Sequence, residues 1–335
     1  MMAVVDTQSA VRPAARSSNW LRDLTGIAVI LGIAAIGYLL FPNNLALLTR
    51  ILAVALLVLS LDLVTGFCGV ATLGHAALFG AGAYAAGMAA AHWDISDPMA
   101  MVVVGAIGGA AAGLLSGAVI LRGHGLSQLV LSIAVIHLFH EAANKASTYT
   151  GGSDGLAGIS PDPLFGLFAF DLWGRTAYGF GVVLLVIVFI LLRILVRSPF
   201  GMLCRGIRED PVRVRAMGAS VRGTLVKMYV ISGAVAGVGG ALNAISTQVV
   251  GLDSLSFTTS AEALVMLVLG GTGSLYGALL GTAAFMWFED VVSAANPFHW
   301  LTMVGTLLIA VVLFAPRGLF GTAAFVFDRM RERRR

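Results

Sequence analysis

Charge is scarce in this sequence. Of 335 residues, 21 are Lys or Arg and 17 are Asp or Glu, against 58% hydrophobic residues and a mean hydropathy of +0.92. So few charges cannot clothe a soluble globular domain, which excludes that class. Cysteine is nearly missing too: Cys68 lies in an apolar segment and Cys204 in a basic loop. No disulfide is expected between residues so placed, and neither has a metal-ligand neighbour pattern. Motifs for chemistry are also lacking. There is no phosphate-binding loop, since residues 270–277 are glycine-rich but carry no lysine, no H-E-x-x-H pattern, and no plausible hydrolase serine in a G-x-S-x-G context. Neither the arginine ladder of a voltage sensor nor a filter-like loop is present. The expectation is a chain that is not an enzyme, with no catalytic residue, metal site or cofactor of its own. If it moves a solute uphill, the energy comes from an ion gradient or from a partner.

What the sequence does contain is long apolar runs of the roughly 20 residues needed to cross a bilayer core. They are continuous rather than alternating, which excludes a long β-barrel. The expected fold is all-α, a polytopic helical membrane protein with about ten apolar segments. Spans are expected near 24–41, 45–65, 69–91, 99–121, 126–146, 178–196, 224–248 and 300–315, with two shorter segments inside 257–292 separated by Gly270, Gly271, Thr272, Gly273 and Ser274. The organisation is then a leader at 1–23, a transmembrane domain at 24–316 and a basic tail at 317–335. The leader has no small-residue cleavage site after its first apolar run, so that run is expected to remain as a span. With the N-terminus in the cytoplasm and ten crossings, 18 of the 21 Lys and Arg fall on the cytoplasmic side. Both termini are thus expected there. The net charge of +4 follows from topology and is no signal for nucleic acid.

The longest basic interruption is residues 198–222. Ser198-Pro199 and Asp210-Pro211 are helix-start signals, and Gly218 sits where a helix-ending glycine belongs. Two short helices are expected, about 199–208 and 211–217. Arg205, Arg208, Arg213, Arg215 and Arg222 keep the segment out of the bilayer. Such a pair is either a docking surface for a soluble partner or a solvated loop made basic by topology alone.

Small residues recur along the spans: Gly233, Gly237, Gly240 and Ala244 in one, Ala77, Ala81, Ala85 and Ala89 in another. They permit close helix approach. With 41 glycines, helices interrupted near mid-membrane are expected, and these are tolerated only when buried in protein or lining a cavity. A solute pathway and a tightly packed bundle both fit. Polar groups inside spans are costly and should face the interior. His137, His140, Glu141 and Asn144 form one helical stripe, either lining a route or holding a neighbour. His75 sits among small residues, as a path residue or a hydrogen-bonded packing residue. Asn243, Ser246, Thr247 and Gln248 lie where a solute could meet them. Asp62 is expected to snorkel or pair with a basic neighbour, and Glu262 to open its helix as a dipole-favoured charge.

Four stretches carry a family resemblance: ATLGHAALFGAGAY at 71–84, TGGSDGL at 150–156, GIRED at 206–210 running to AMG at 216–218, and LGGTGSLYG at 269–277. In this order they resemble the integral-membrane permeases of branched-chain amino acid ABC importers, the LivM-like branch. Members usually carry small residues where this chain has Arg213, Val214 and Arg215. The resemblance implies a multi-pass permease of the bacterial cell inner membrane with the vitamin B12-importer-like fold. It implies a second homologous permease as heterodimer partner, two cytoplasmic ATPase subunits carrying ATP and magnesium, and a periplasmic substrate-binding protein. On that reading Arg205, Arg208, Glu209, Asp210, Met217 and Gly218 couple to the ATPases. His75, His137, His140, Glu141, Asn144, Asn243 and Gln248 belong to the translocation path, and Gly151, Gly152, Ser153 and Asp154 to a periplasmic loop. The expected substrate is a branched-chain or other small apolar amino acid. The alternatives are a stand-alone secondary transporter or channel using the stripe from His137 to Glu141 as a proton relay, and a structural membrane subunit.

Overall fold

The computed structural model describes residues 19–42, 44–164, 166, 168–170, 174–295 and five positions between 302 and 309. The expected leader, the tail and almost all of the span at 300–315 lie outside these residues. The chain divides into two compact units, residues 1–42 and 43–335. The first contains α1 (Asn19–Leu40), which begins earlier than the expected 24.

The second unit is helical, with only isolated β-bridges among the described residues. Its helices are α2 (Leu45–Asp62), α3 (His75–Trp93), α4 (Pro98–Ile120), α5 (Leu126–Lys145), the single turn α6 (Ser147–Thr150), α7 (Arg175–Arg197), α8 (Pro199–Glu209), α9 (Pro211–Ala216), α10 (Val221–Thr247), α11 (Phe257–Gly270) and α12 (Leu275–Ala295). Six described helices are long and apolar enough to cross a membrane. The protein is an all-α, multi-pass membrane protein.

Helix α10 is the axis, with α2, α3 and α4 packed around it. Its contact with α4 is a glycine crossing. A Cβ on Gly109 would stand 2.2 Å from the Gly233 carbonyl oxygen, and one on Gly237 would stand 2.2 Å from that of Gly105. No side chain fits between these backbones. In lipid such close packing drives helix association, because apolar burial alone gains nothing over lipid contact. The α10 stripe is legible in its sequence spacing; its match on α4 is Gly105, Gly109 and Gly113.

Two apolar runs are broken. Helix α2 ends in one wide π turn, Leu63–Phe67. Residues 68–74 then run non-helically before α3 begins at His75, so the expected span at 69–91 is corrected to 75–93. Gly69 is left-handed (φ +75°), which ends the helical run. Every polar group here needs a partner within the protein. Leu73 N–H donates to Ser132 Oγ (3.0 Å), Gly74 N–H to Thr72 Oγ1 (3.2 Å) and Ala76 N–H to Ser260 Oγ (2.9 Å). Hydroxyls from α5 and α11 thus cap α3 inside the bundle. The second break precedes α11, where the 3-10 turn Leu252–Leu255 packs against Gly80 of α3. Helix α11 has 14 residues, about 21 Å at the usual rise, which is short of a bilayer core.

Candidate coupling element and polar relay

Helices α8 and α9 form by the expected chemistry. Ser198 Oγ accepts from Gly201 N–H (3.3 Å) at the start of α8. Asp210 Oδ1 accepts from Val212 N–H (2.9 Å) and Arg213 N–H (3.0 Å) at the start of α9. The carboxylate of Asp210 is therefore engaged as a helix cap. Gly218, left-handed at φ +86°, lies just beyond α9, where Ala219 N–H returns to the Val214 carbonyl. Gly201, Cys204, Ile207 and Val214 are buried, while Met202 (59% exposed), Val212 (72%) and Met217 (70%) stand out with Arg213 and Arg215. The pair presents apolar knobs ringed by arginine on one side and roots itself in the bundle on the other.

The root is tight. Arg205 lies 5.2 Å over the Phe67 ring. Arg208 passes along Gly69, and its guanidinium donates to the Gly66 carbonyl oxygen in the π turn. Asp62 is fully buried, and its Oδ1 accepts from Gly273 N–H (2.6 Å), so it neither snorkels nor forms a direct ion pair. Cys68 and Cys204, remote in sequence, are both buried free thiols at this root. The glycine-rich stretch at 269–277 is the hairpin between α11 and α12. Its Tyr276 accepts from Arg193 of α7 and lies under that guanidinium.

The expected path residues do not form one cluster. His75 is fully buried, its Nε2 2.7 Å from Ser232 Oγ, which donates to the Ser60 carbonyl (2.7 Å). This relay ties α3, α10 and α2. On α5, His137 and Glu141 are exposed and His140 and Asn144 half-buried, with Glu141 3.4 Å from Lys145. Gln248 lines a cavity of about 460 Å³ with Arg50, Thr49, Phe170 and Ser246, at the end of α10 remote from α9. Asn243 is half-buried one turn away, and its carbonyl accepts from Ser246 and Thr247. Glu262 lies in the second turn of α11, half-buried with Glu289 and Arg50 as electrostatic neighbours, so it does not open the helix as expected. In the loop after α5, Gly151 and Gly152 follow the cap made by Thr150, Ser153 and Asp154 are exposed, and Leu156 bridges to Val250. No group of three potential metal ligands occurs among the described residues.

The chain matches the family model described as branched-chain amino acid transport system, permease component, over residues 43–315. It is 26% identical over 330 residues to the high-affinity branched-chain amino acid transport system permease protein LivM of Escherichia coli K12, covering 92% of this chain and 77% of that one. It is also 30% identical over 125 residues to the corresponding permease protein LivH of the same organism, covering 37% of this chain and 40% of that one. The probable branched-chain amino acid transport permease protein LivM of Methanocaldococcus jannaschii is 24% identical over 228 residues, 62% of this chain and 63% of that one. No solved structure matches the chain. A family match over this much of the sequence, on a helical membrane bundle, makes the chain a member of the permease component family of branched-chain amino acid transport systems.

Proposed function

We propose that the chain is the transmembrane permease subunit of an ATP-driven importer for branched-chain or other small apolar amino acids, with the vitamin B12-importer-like arrangement. The observation that carries this is the α8–α9 pair, whose exposed Met202, Val212 and Met217 form a knob on a rooted base. That shape suits a cleft in a soluble ATPase, and two such subunits carry the ATP and magnesium. ATP-driven closure of the ATPases favours one arrangement of the permease, and hydrolysis releases it. The lysine and arginine distribution supports α8, α9 and both termini in the cytoplasm of a bacterial inner membrane. A periplasmic binding protein then delivers substrate at the loops 147–174 and 249–256.

The exposed polar face of α5 supports a second permease subunit. His137 and the Glu141–Lys145 pair would be costly against lipid, and a homologous partner covers them. Between the two chains, His137, His140, Glu141 and Asn144 line the path. The relatives are named LivM and LivH, which favours a heterodimer. The test is reconstitution of this chain with its partner permease, the ATPases and the binding protein in liposomes. Leucine uptake that requires ATP inside and the binding protein outside is expected. Gradient-driven uptake by this chain alone would establish the secondary-transporter reading instead.

A further inference from the structure

We infer that Arg208 is a positioning residue, the point at which movement of α8 is transmitted into the bundle. The inference rests on the reading of α8–α9 as the ATPase-docking element, and goes beyond it by assigning the transmission to one clasp. Arg208 belongs to the same short helix as Met202 and, although exposed along its length, reaches the carbonyl of Gly66 with its guanidinium. That carbonyl lies in the last turn of the α2 run, where backbone acceptors have no intrahelical partner and a cation is favoured. The stem of Arg208 lies along Gly69, where an added Cβ would stand 2.9 Å from Arg208 Cγ. On the other side is the turn between α11 and α12: a Cβ on Gly273 would stand 3.1 Å from Arg208 Nη1. Gly273 N–H in turn donates to Asp62 Oδ1. A Cβ on Gly66 would meet both Asp62 Oδ1 (1.9 Å) and Gly273 N (2.5 Å), so these groups converge on one point.

Three segments therefore share the clasp: the end of α2, the turn between α11 and α12, and α8. The rest of the root is apolar contact through Cys204 and Ile207 and the stacking of Arg205 on Phe67. Apolar contact resists separation but holds no direction. A charge-assisted hydrogen bond to a fixed carbonyl holds direction and distance. Asp62, whose Oδ1 holds the Gly273 amide, is itself fully buried. One donor fixed on the end of α2 and packed against the turn between α11 and α12 is a contiguous physical link of the kind that carries coupling.

The test uses the assembled transporter with Arg208→Gln and Arg208→Lys, reading the ATP hydrolysed per solute imported. The glutamine variant is expected to co-purify with the ATPases and hydrolyse ATP near the wild-type rate while uptake falls by about tenfold, within the usual range of coupling between sites. Lysine keeps one charged donor for Gly66 O and is expected to restore part of the loss. Spin labels at Leu203 and Thr272 give a second reading: one narrow distance in the parent, broadened by the glutamine variant. An unchanged ATP-to-solute ratio with an unchanged distance overturns the proposal. So does loss of ATPase association or activity in step with uptake, which would make Arg208 a docking residue. If the parent complex itself shows no ATP-driven uptake, the functional reading fails, and the distance measurement still decides whether the clasp holds α8.

Discussion

At the scale of single residues, the most consequential side chains are the ones that reach other elements. The family resemblance gives Arg208 to ATPase coupling, but its reach to the Gly66 carbonyl is not legible in the sequence, because local spacing cannot show which way a long flexible side chain reaches. Asp210, by contrast, was legible as a cap, since capping is decided within four residues. Histidine 75 shows the same limit. Its neighbours Ser232 and Ser60 come from helices far along the chain, so its place in a relay was invisible in the sequence. Ser232→Ala removes the partner of His75 Nε2 in a fully buried site and is expected to cost about 1–3 kcal/mol of stability, the usual penalty for orphaning a buried polar group. Thermal unfolding of the purified chain in detergent checks this, and an unchanged midpoint would show that the relay adds nothing.

At the scale of elements, small-residue stripes decided which helices approach. A Cβ at Gly109 would meet the Gly233 carbonyl oxygen at 2.2 Å, whereas at Gly179, on the exposed side of α7, nothing lies within 4 Å. Gly109→Val is therefore expected to force α4 from α10 and destabilise the bundle by about 1–3 kcal/mol through overpacking. Gly179→Ala is expected to be neutral or to stabilise by about 0.5 kcal/mol, because it lowers backbone freedom without touching a neighbour. Melting curves of the two variants side by side test the difference, and equal effects would refute the crossing as the cause. The broken apolar runs belong to this scale as well. Glycine content predicted interrupted helices; at the break before α3, hydroxyls from α5 and α11 receive the exposed amides, and at the break before α11 the local Ser256 does so.

At the scale of the whole molecule, the face of α5 that turns away from its own bundle is the open question of assembly. Leu138 is 67% exposed on that helix, close to His137 and Glu141. In the assembled transporter, Leu138→Cys is expected to cross-link to the second permease and to resist a lipid-soluble maleimide. In the chain expressed alone it is expected to label readily. Equal labelling in both states would mean that lipid, not a partner, covers this face.

The sequence alone determined the class of the protein. Scarce charge and continuous apolar runs are properties of composition and order, and the bilayer reads them directly. It also determined the short helices α8 and α9, whose start and stop signals are local. Only the tertiary structure decided what those elements grip. Arg208 on Gly66, Asp62 on Gly273, Cys68 beside Cys204 and α4 against α10 are contacts between residues far apart in the chain. Their pairing depends on how the helices cross, and no local pattern carries that information.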